Sequence, residues 1–269
     1  MAGDTAGITA GMRVALVQEA ASLDPAENRA FLAGLDVTAD LVVLPEAFAR
    51  DFGTPGDDVS PFAERLGGPF DQALREFAGP GRTVVAGMFE RSEDPARPYN
   101  TLLVRGAVEA AYRKIHLYDS FGYRESDRLT GGPWEPAVFD HAGFRVGLLT
   151  CYDLRFPELA RALVDEGADV LVVPAAWVPG RTEDEHRRKV DHWTTLARAR
   201  AIENTVYVVA VGQAAPRYTG HSLVVDPFGE VVAEAGPEPT RLVATLRRER
   251  IEEARQTNPS LANRRMPGR

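Results

Sequence analysis

The sequence predicts a single large α/β domain, and three observations carry that expectation. Continuous apolar, β-branched runs such as Leu41–Leu44 have the character of strands buried on both faces of a sheet. Segments with helix-start signals alternate with those runs from end to end: Asp24 and Pro25 supply an N-cap and a first-turn proline, with Glu27 placed to close a capping box. Finally, 269 residues, 44% of them hydrophobic, suffice for a sizeable core, and no repeat, linker or low-complexity stretch divides them.

In chain order, residues 1–11 are small and polar and read as a flexible N-terminal tail, leaving 12–269 as the domain. Met12–Gln18 reads as a buried strand, followed by the helix that Asp24 opens and then by Leu41–Leu44, which stops at Pro45 with Glu46 directly after. Pro69–Phe77 reads as a helix ended by Gly79-Pro80-Gly81, and Thr83–Met88 as the next strand. Tyr99–Val104 and Ala107–Tyr112 predict a hairpin turning at Arg105-Gly106 and ending in Arg113-Lys114. From Ile115 to Pro136 regular periodicity is absent, and a loop of that length in a compact domain is usually functional. A strand from Val146 and a helix over Pro157–Glu166 follow. The alternation resumes with strand Val170–Val173, helix Glu183–Glu203 and strands Val206–Gly212, Ser222–Val225 and Val231–Glu234. Arg241–Leu246 closes the sheet ahead of a polar helix near Arg248–Gln256. These strands are enough for two sheets or one very wide one.

Composition narrows the function. A formal charge of -8 and a pI near 5.3 argue against a nucleic-acid or anionic-membrane partner, because no basic excess exists to neutralise phosphates. The basic clusters His186–Lys189 and Arg247–Arg250 adjoin acidic residues and read as solvated helix faces. No apolar run approaches the length that crosses a bilayer. One cysteine forms no internal disulfide, no Cys/His spacing resembles a zinc site, and a reducing cytoplasm is the expected setting. Glycine-rich phosphate cradles are missing as well.

That cysteine, Cys151, sits where the strand from Val146 turns into the helix opening at Phe156-Pro157-Glu158. A strand-to-helix corner exposes a side chain beside unpaired backbone N–H groups, which suits a nucleophile facing a developing oxyanion. A buried structural cysteine accounts for the residue equally well at this point. Two further strand ends carry a carboxylate, Glu46, and an ammonium, Lys114. A thiol needs a proton acceptor to attack at neutral pH, and an ordinary glutamate lies about 4 pH units too low. Burial beside Leu41–Leu44 would have to make Glu46 more basic, while Lys114 would favour the thiolate; together they would close the gap.

Leu44-Pro45-Glu46-Ala47-Phe48, Tyr112–Asp119 and Thr150–Glu158 resemble the three catalytic motifs of the nitrilase superfamily of carbon–nitrogen hydrolases, in that family's order and spacing. Val173–Trp177, Ala199–Asn204, Gly220-His221-Ser222, Asp226–Gly229 and Asn263-Arg264-Arg265 extend the likeness from Arg13 to Arg265. The resemblance implies an α-β-β-α sandwich that pairs into an α-β-β-α-α-β-β-α homodimer. It also implies a Glu-Lys-Cys triad: Glu46 as general base, Lys114 at the oxyanion and Cys151 as nucleophile, with Glu125 as an assisting glutamate and the Tyr152 N–H as a second oxyanion donor. No metal or organic cofactor is implied. Cys151–Glu158 is similar to the Nit-type branch, which includes ω-amidases and deaminated-glutathione amidases.

The expected activity is hydrolysis of a small linear amide to acid and ammonia through a thioester, the small molecule being the partner. Arg155 and Arg124 flank the triad and suggest a substrate carboxylate, and Trp177 is a candidate pocket wall. Plainer roles stand beside these: Arg155 paired with Glu158 or Asp153, Trp177 and Trp193 as core, Arg200 with Glu203 as a structural ion pair. The competing functions are an N-carbamoyl hydrolase or nitrilase of the same superfamily, a Cys–His thiol hydrolase using His116 or His221, and a catalytically silent scaffold.

Overall fold

The computed structural model describes residues 11–265, so the expected tail falls outside the described residues except for Gly11. The chain runs β1 (Met12–Gln18), α1 (Pro25–Gly34), β2 (Leu41–Val43), α2 (Pro69–Ala78), β3 (Thr83–Glu90), β4 (Tyr99–Gly106) and β5 (Ala110–Arg113). A small hairpin of β6 (Asp119–Ser120) and β7 (Tyr123–Arg124) comes next, then β8 (Val138–His141), β9 (Phe144–Leu148), α3 (Pro157–Asp165), β10 (Val170–Ala175) and α4 (Glu183–Asn204). β11 (Tyr207–Gly212), β12 (Leu223–Val225), β13 (Val231–Glu234), β14 (Thr240–Leu246) and α5 (Arg248–Thr257) follow.

Two six-stranded sheets result, ordered β14-β1-β2-β3-β4-β5 and β13-β12-β11-β10-β9-β8. Each has three parallel strands at its centre, β1-β2-β3 and β9-β10-β11, with antiparallel strands outside them. Strand alternation assigns the layers, because successive side chains point to opposite faces. Val14, Leu16, Val43 and Val85 face the second sheet and join Val146, Leu148 and Val172 in one core. Their neighbours Ala15, Val17, Val42 and Val84 face outward onto Leu32 of α1 and Phe70, Leu74 and Phe77 of α2. Leu159 and Leu163 of α3 and Trp193 and Ala197 of α4 cover the other outer face. The architecture is therefore the α-β-β-α sandwich, and burial of both sheet faces is why the central strands read as unbroken apolar runs.

Three local features depart from the sequence reading. The hairpin after β4 turns later than Arg105-Gly106: Gly106, at φ +117°, pairs with Thr83, and Val104 pairs with Ala110. Only glycine fits there, since a Cβ would sit 2.0 Å from the Arg82 carbonyl oxygen. β8 adds an edge strand too short to show periodicity. The irregular stretch after Lys114 contains the β6–β7 hairpin, closed by Phe121-Gly122 with both residues at positive φ, 53° and 79°.

Candidate active site

β2 ends at Val43, and Glu46 lies in the turn just beyond Pro45, with Ala47 at φ +53°. β3 clamps that turn: the Gly87 N–H donates to the Pro45 carbonyl at 3.2 Å and its carbonyl accepts from the Ala49 N–H at 2.9 Å. The backbones approach so closely that a Cβ on Gly87 would lie 2.3 Å from the Ala47 nitrogen. Lys114 follows β5, its N–H bonded to the Asn100 carbonyl at 2.8 Å. The third strand end is that of β9, after which Cys151 takes φ +48° and opens a 3-10 turn over Cys151–Arg155. As the second residue of that turn, Tyr152 has an N–H with no acceptor inside it.

Asp153 ties the Cys151 corner to the Lys114 segment. Fully buried, its carboxylate accepts from the Thr150 N–H at 2.9 Å, the Tyr112 hydroxyl at 2.7 Å and the His116 N–H at 3.0 Å, and contacts His116 Nδ1 at 2.8 Å. Arg200 braces the same turn by donating to the Leu154 carbonyl, and it also pairs with Glu203 at 3.0 Å, the structural ion pair expected.

The three strand ends converge. Lys114 Nζ lies 2.9 Å from Glu46 Oε1 and 2.9 Å from Glu125 Oε2. Glu46 Oε1 also accepts from Asn100 Nδ2 at 2.7 Å, and its Oε2 from the Ala176 N–H at 2.7 Å. Exposure is 1% for Glu46, 2% for Lys114, 3% for Glu125 and 7% for Cys151. Burial opposes the Lys114 ammonium, but the charges of Glu125 and Glu46 outweigh it and hold its proton well above the ordinary lysine value. Burial, with Lys114 opposing and Glu46 adding, raises Glu125 above the usual carboxylate range. Burial and the Glu46 charge push the Cys151 thiol well up, more than Lys114 pulls it down. Lys114 thus favours the thiolate, as expected, but burial and Glu46 outweigh it, so that a base must take the proton as the sulfur attacks.

Glu46, Lys114, Glu125, Cys151, Tyr152, Arg155 and Trp177 all line one cavity of about 630 Å³. Trp177 is thus a wall residue, with Arg155 Cζ 4.8 Å from its ring centroid, whereas Trp193 is core and donates to the His221 carbonyl. Arg155 does not pair with Asp153, whose oxygens are already taken, and among the described residues no ion pair joins it to Glu158. Arg124 is a correction: it lies outside the cavity wall, 70% exposed, and pairs with Asp127 at 3.5 Å across one turn of chain. His116 is stacked on Phe156 at 3.7 Å, and neither it nor His221 lines the cavity, which removes the geometric basis of a Cys–His dyad at either of them. The basic cluster at 186–189 is not wholly a solvated face either, because Arg188 and Lys189 form part of the wall. Among the described residues no group of three His, Cys, Asp or Glu side chains is placed to hold a metal ion, and no helix is long and apolar enough to cross a membrane.

The family model for carbon–nitrogen hydrolases matches residues 13–256. The chain belongs to the carbon–nitrogen hydrolase family. Within that family it is 38% identical over 227 residues to the deaminated glutathione amidase of Escherichia coli O157:H7, covering 84% of each chain. It is 34% identical over 274 residues to the omega-amidase NIT2 of Bos taurus, covering 95% of this chain and 96% of the other. Its fold matches the crystal structure of Saccharomyces cerevisiae Nit3, described as a member of branch 10 of the nitrilase superfamily, with a TM-score of 0.78, 31% identity and 96% and 97% of the two chains covered. This carbon–nitrogen hydrolase thus belongs to the nitrilase superfamily, and it acts on carbon–nitrogen bonds other than peptide bonds.

Proposed function

We propose that the protein is an amidase that converts a small linear amide bearing a carboxylate to the acid and ammonia through a thioester on Cys151. One observation carries the reading: a thiol, a carboxylate and an ammonium from three separate strand ends share one pocket. Cys151 Sγ attacks the amide carbonyl as Glu46 takes its proton, and the oxyanion that forms is met by Lys114 and the Tyr152 N–H. Glu46 passes the proton to the departing nitrogen, ammonia leaves, and the thioester remains. Glu46 then deprotonates a water molecule that attacks the thioester, and the acid is released as the thiol is restored. Glu125 gives the Lys114 ammonium a second carboxylate beside Glu46, so that it keeps its place throughout the cycle.

The substrate carboxylate is inferred from Arg155, a cation on the cavity wall without a carboxylate partner among the described residues. Ammonia release from monoamides of dicarboxylic acids, set against neutral amides of equal length, tests this. Turnover of the acid amides with a matching acyl mass on Cys151 supports it, and activity confined to neutral amides overturns it. A cytoplasmic homodimer completes the proposal, with exposed Ile202 of α4 and Val232 of β13 as apolar surface for the pairing. Its mass in solution, by light scattering, is the check.

A further inference from the structure

Lys189 has no part in the chemistry above, yet its surroundings are those of a binding group. It projects from α4 into the cavity, its Nζ 2.9 Å from the Tyr118 hydroxyl oxygen, 4.3 Å from the Phe121 ring centroid and 5.4 Å from the Tyr118 centroid. Arg155 reaches the same Phe121 ring at 5.8 Å while lying over Trp177. Two cations therefore share one aromatic wall. Among the described residues neither has an ion-pair partner, and the nearby acid Glu185 is engaged by the Arg181 N–H at 2.9 Å. Burial and the charge of Arg155 lower the Lys189 ammonium below its ordinary value, more than the nearby Glu185 raises it. Arg155 Nε is itself buried and unpartnered. Of the three donors on an ammonium, Tyr118 engages one, and the others are free for an anion.

We propose that Lys189 and Arg155 form a two-point carboxylate subsite, and that Lys189 decides the preference for an acid amide over a neutral one. This rests on the amidase reading only for the identity of the ligand, and the subsite is testable without turnover.

Succinate is used as a probe that shields Cys151 from iodoacetamide, with the modified fraction read by mass spectrometry. In the unaltered protein succinate should slow alkylation. In Lys189→Met the concentration needed should rise at least tenfold, a second neutral variant, Lys189→Gln, should behave alike, and Lys189→Arg should restore most of the protection. In parallel, the ratio of kcat/KM for succinic acid monoamide to that for butanamide should fall at least tenfold in Lys189→Met, chiefly through KM. Absence of protection in the unaltered protein, equal protection in Lys189→Met, or an equal loss for both amides would overturn the subsite. Failure of the amidase reading shows differently, as no ammonia from either amide while succinate protection still depends on Lys189.

Discussion

The turn after β2, the middle strand of its parallel set, and the turn after β9, the outer strand of the other set, solve different problems. Each follows a central parallel strand, and each contains a non-glycine residue at positive φ, Ala47 at 53° and Cys151 at 48°. In the first, the strained residue stands beside the functional one. Glu46 is held at every polar atom of its carboxylate and again at its carbonyl, which accepts from Gln213 Nε2 at 2.9 Å. In the second, the strained residue is the functional one, and the anchoring falls two residues later on Asp153. A proton acceptor has to be fixed in place, while a nucleophile has to be presented to the cavity beside that acceptor.

The comparison is broken most completely at the sulfur. Cys151→Ala should lower ammonia release by at least about 10⁴-fold with far-UV circular dichroism unchanged, since the covalent route is removed and the fold is not. Glu46→Gln keeps the shape of the first turn but removes its proton acceptor, and should cost about 10²- to 10⁴-fold in kcat. Gly87→Ala attacks the first turn without touching its carboxylate: the new Cβ would press on Ala47 N, so thermal melting should report a loss of about 3 kcal/mol, with activity falling alongside. The finest contrast is the thiol itself. The 240 nm absorbance difference between the unaltered protein and Cys151→Ala reports thiolate, because the chain has a single cysteine. With the pKa pushed up, the difference should stay small through neutrality and grow only above about pH 9; a plateau near pH 7 would mean that Lys114 outweighs burial and Glu46.

Much of this was legible in the chain. Leu41–Leu44 ending at Pro45-Glu46, and a lone cysteine between a strand and Phe156-Pro157, mark two of the converging ends through local patterns of burial and termination. Glu125 and Lys114 needed the resemblance, because a glutamate in an irregular loop and a lysine after a strand look like surface residues. Asn100 gave no signal at all: it sits inside an apolar strand, and its reach to Glu46 depends on the register of β3 with β4, which local sequence does not encode. Lys189 was read as solvated because charge composition describes a helix and says nothing of which face meets a cavity. The Arg124 expectation failed for a related reason, since the β6–β7 register turns that side chain outward while Tyr123 lines the cavity.

Glu46 is gripped from both layers of the sandwich: Asn100 and Lys114 belong to the first sheet, and the Ala176 N–H follows the end of β10 in the second. Neither half of the polypeptide could assemble that grip by itself. Hydrolysis is thereby made a gauge of how the layers are spaced, and a truncation deep between them, such as Leu148→Ala, should show in the rate at temperatures where the protein is still folded.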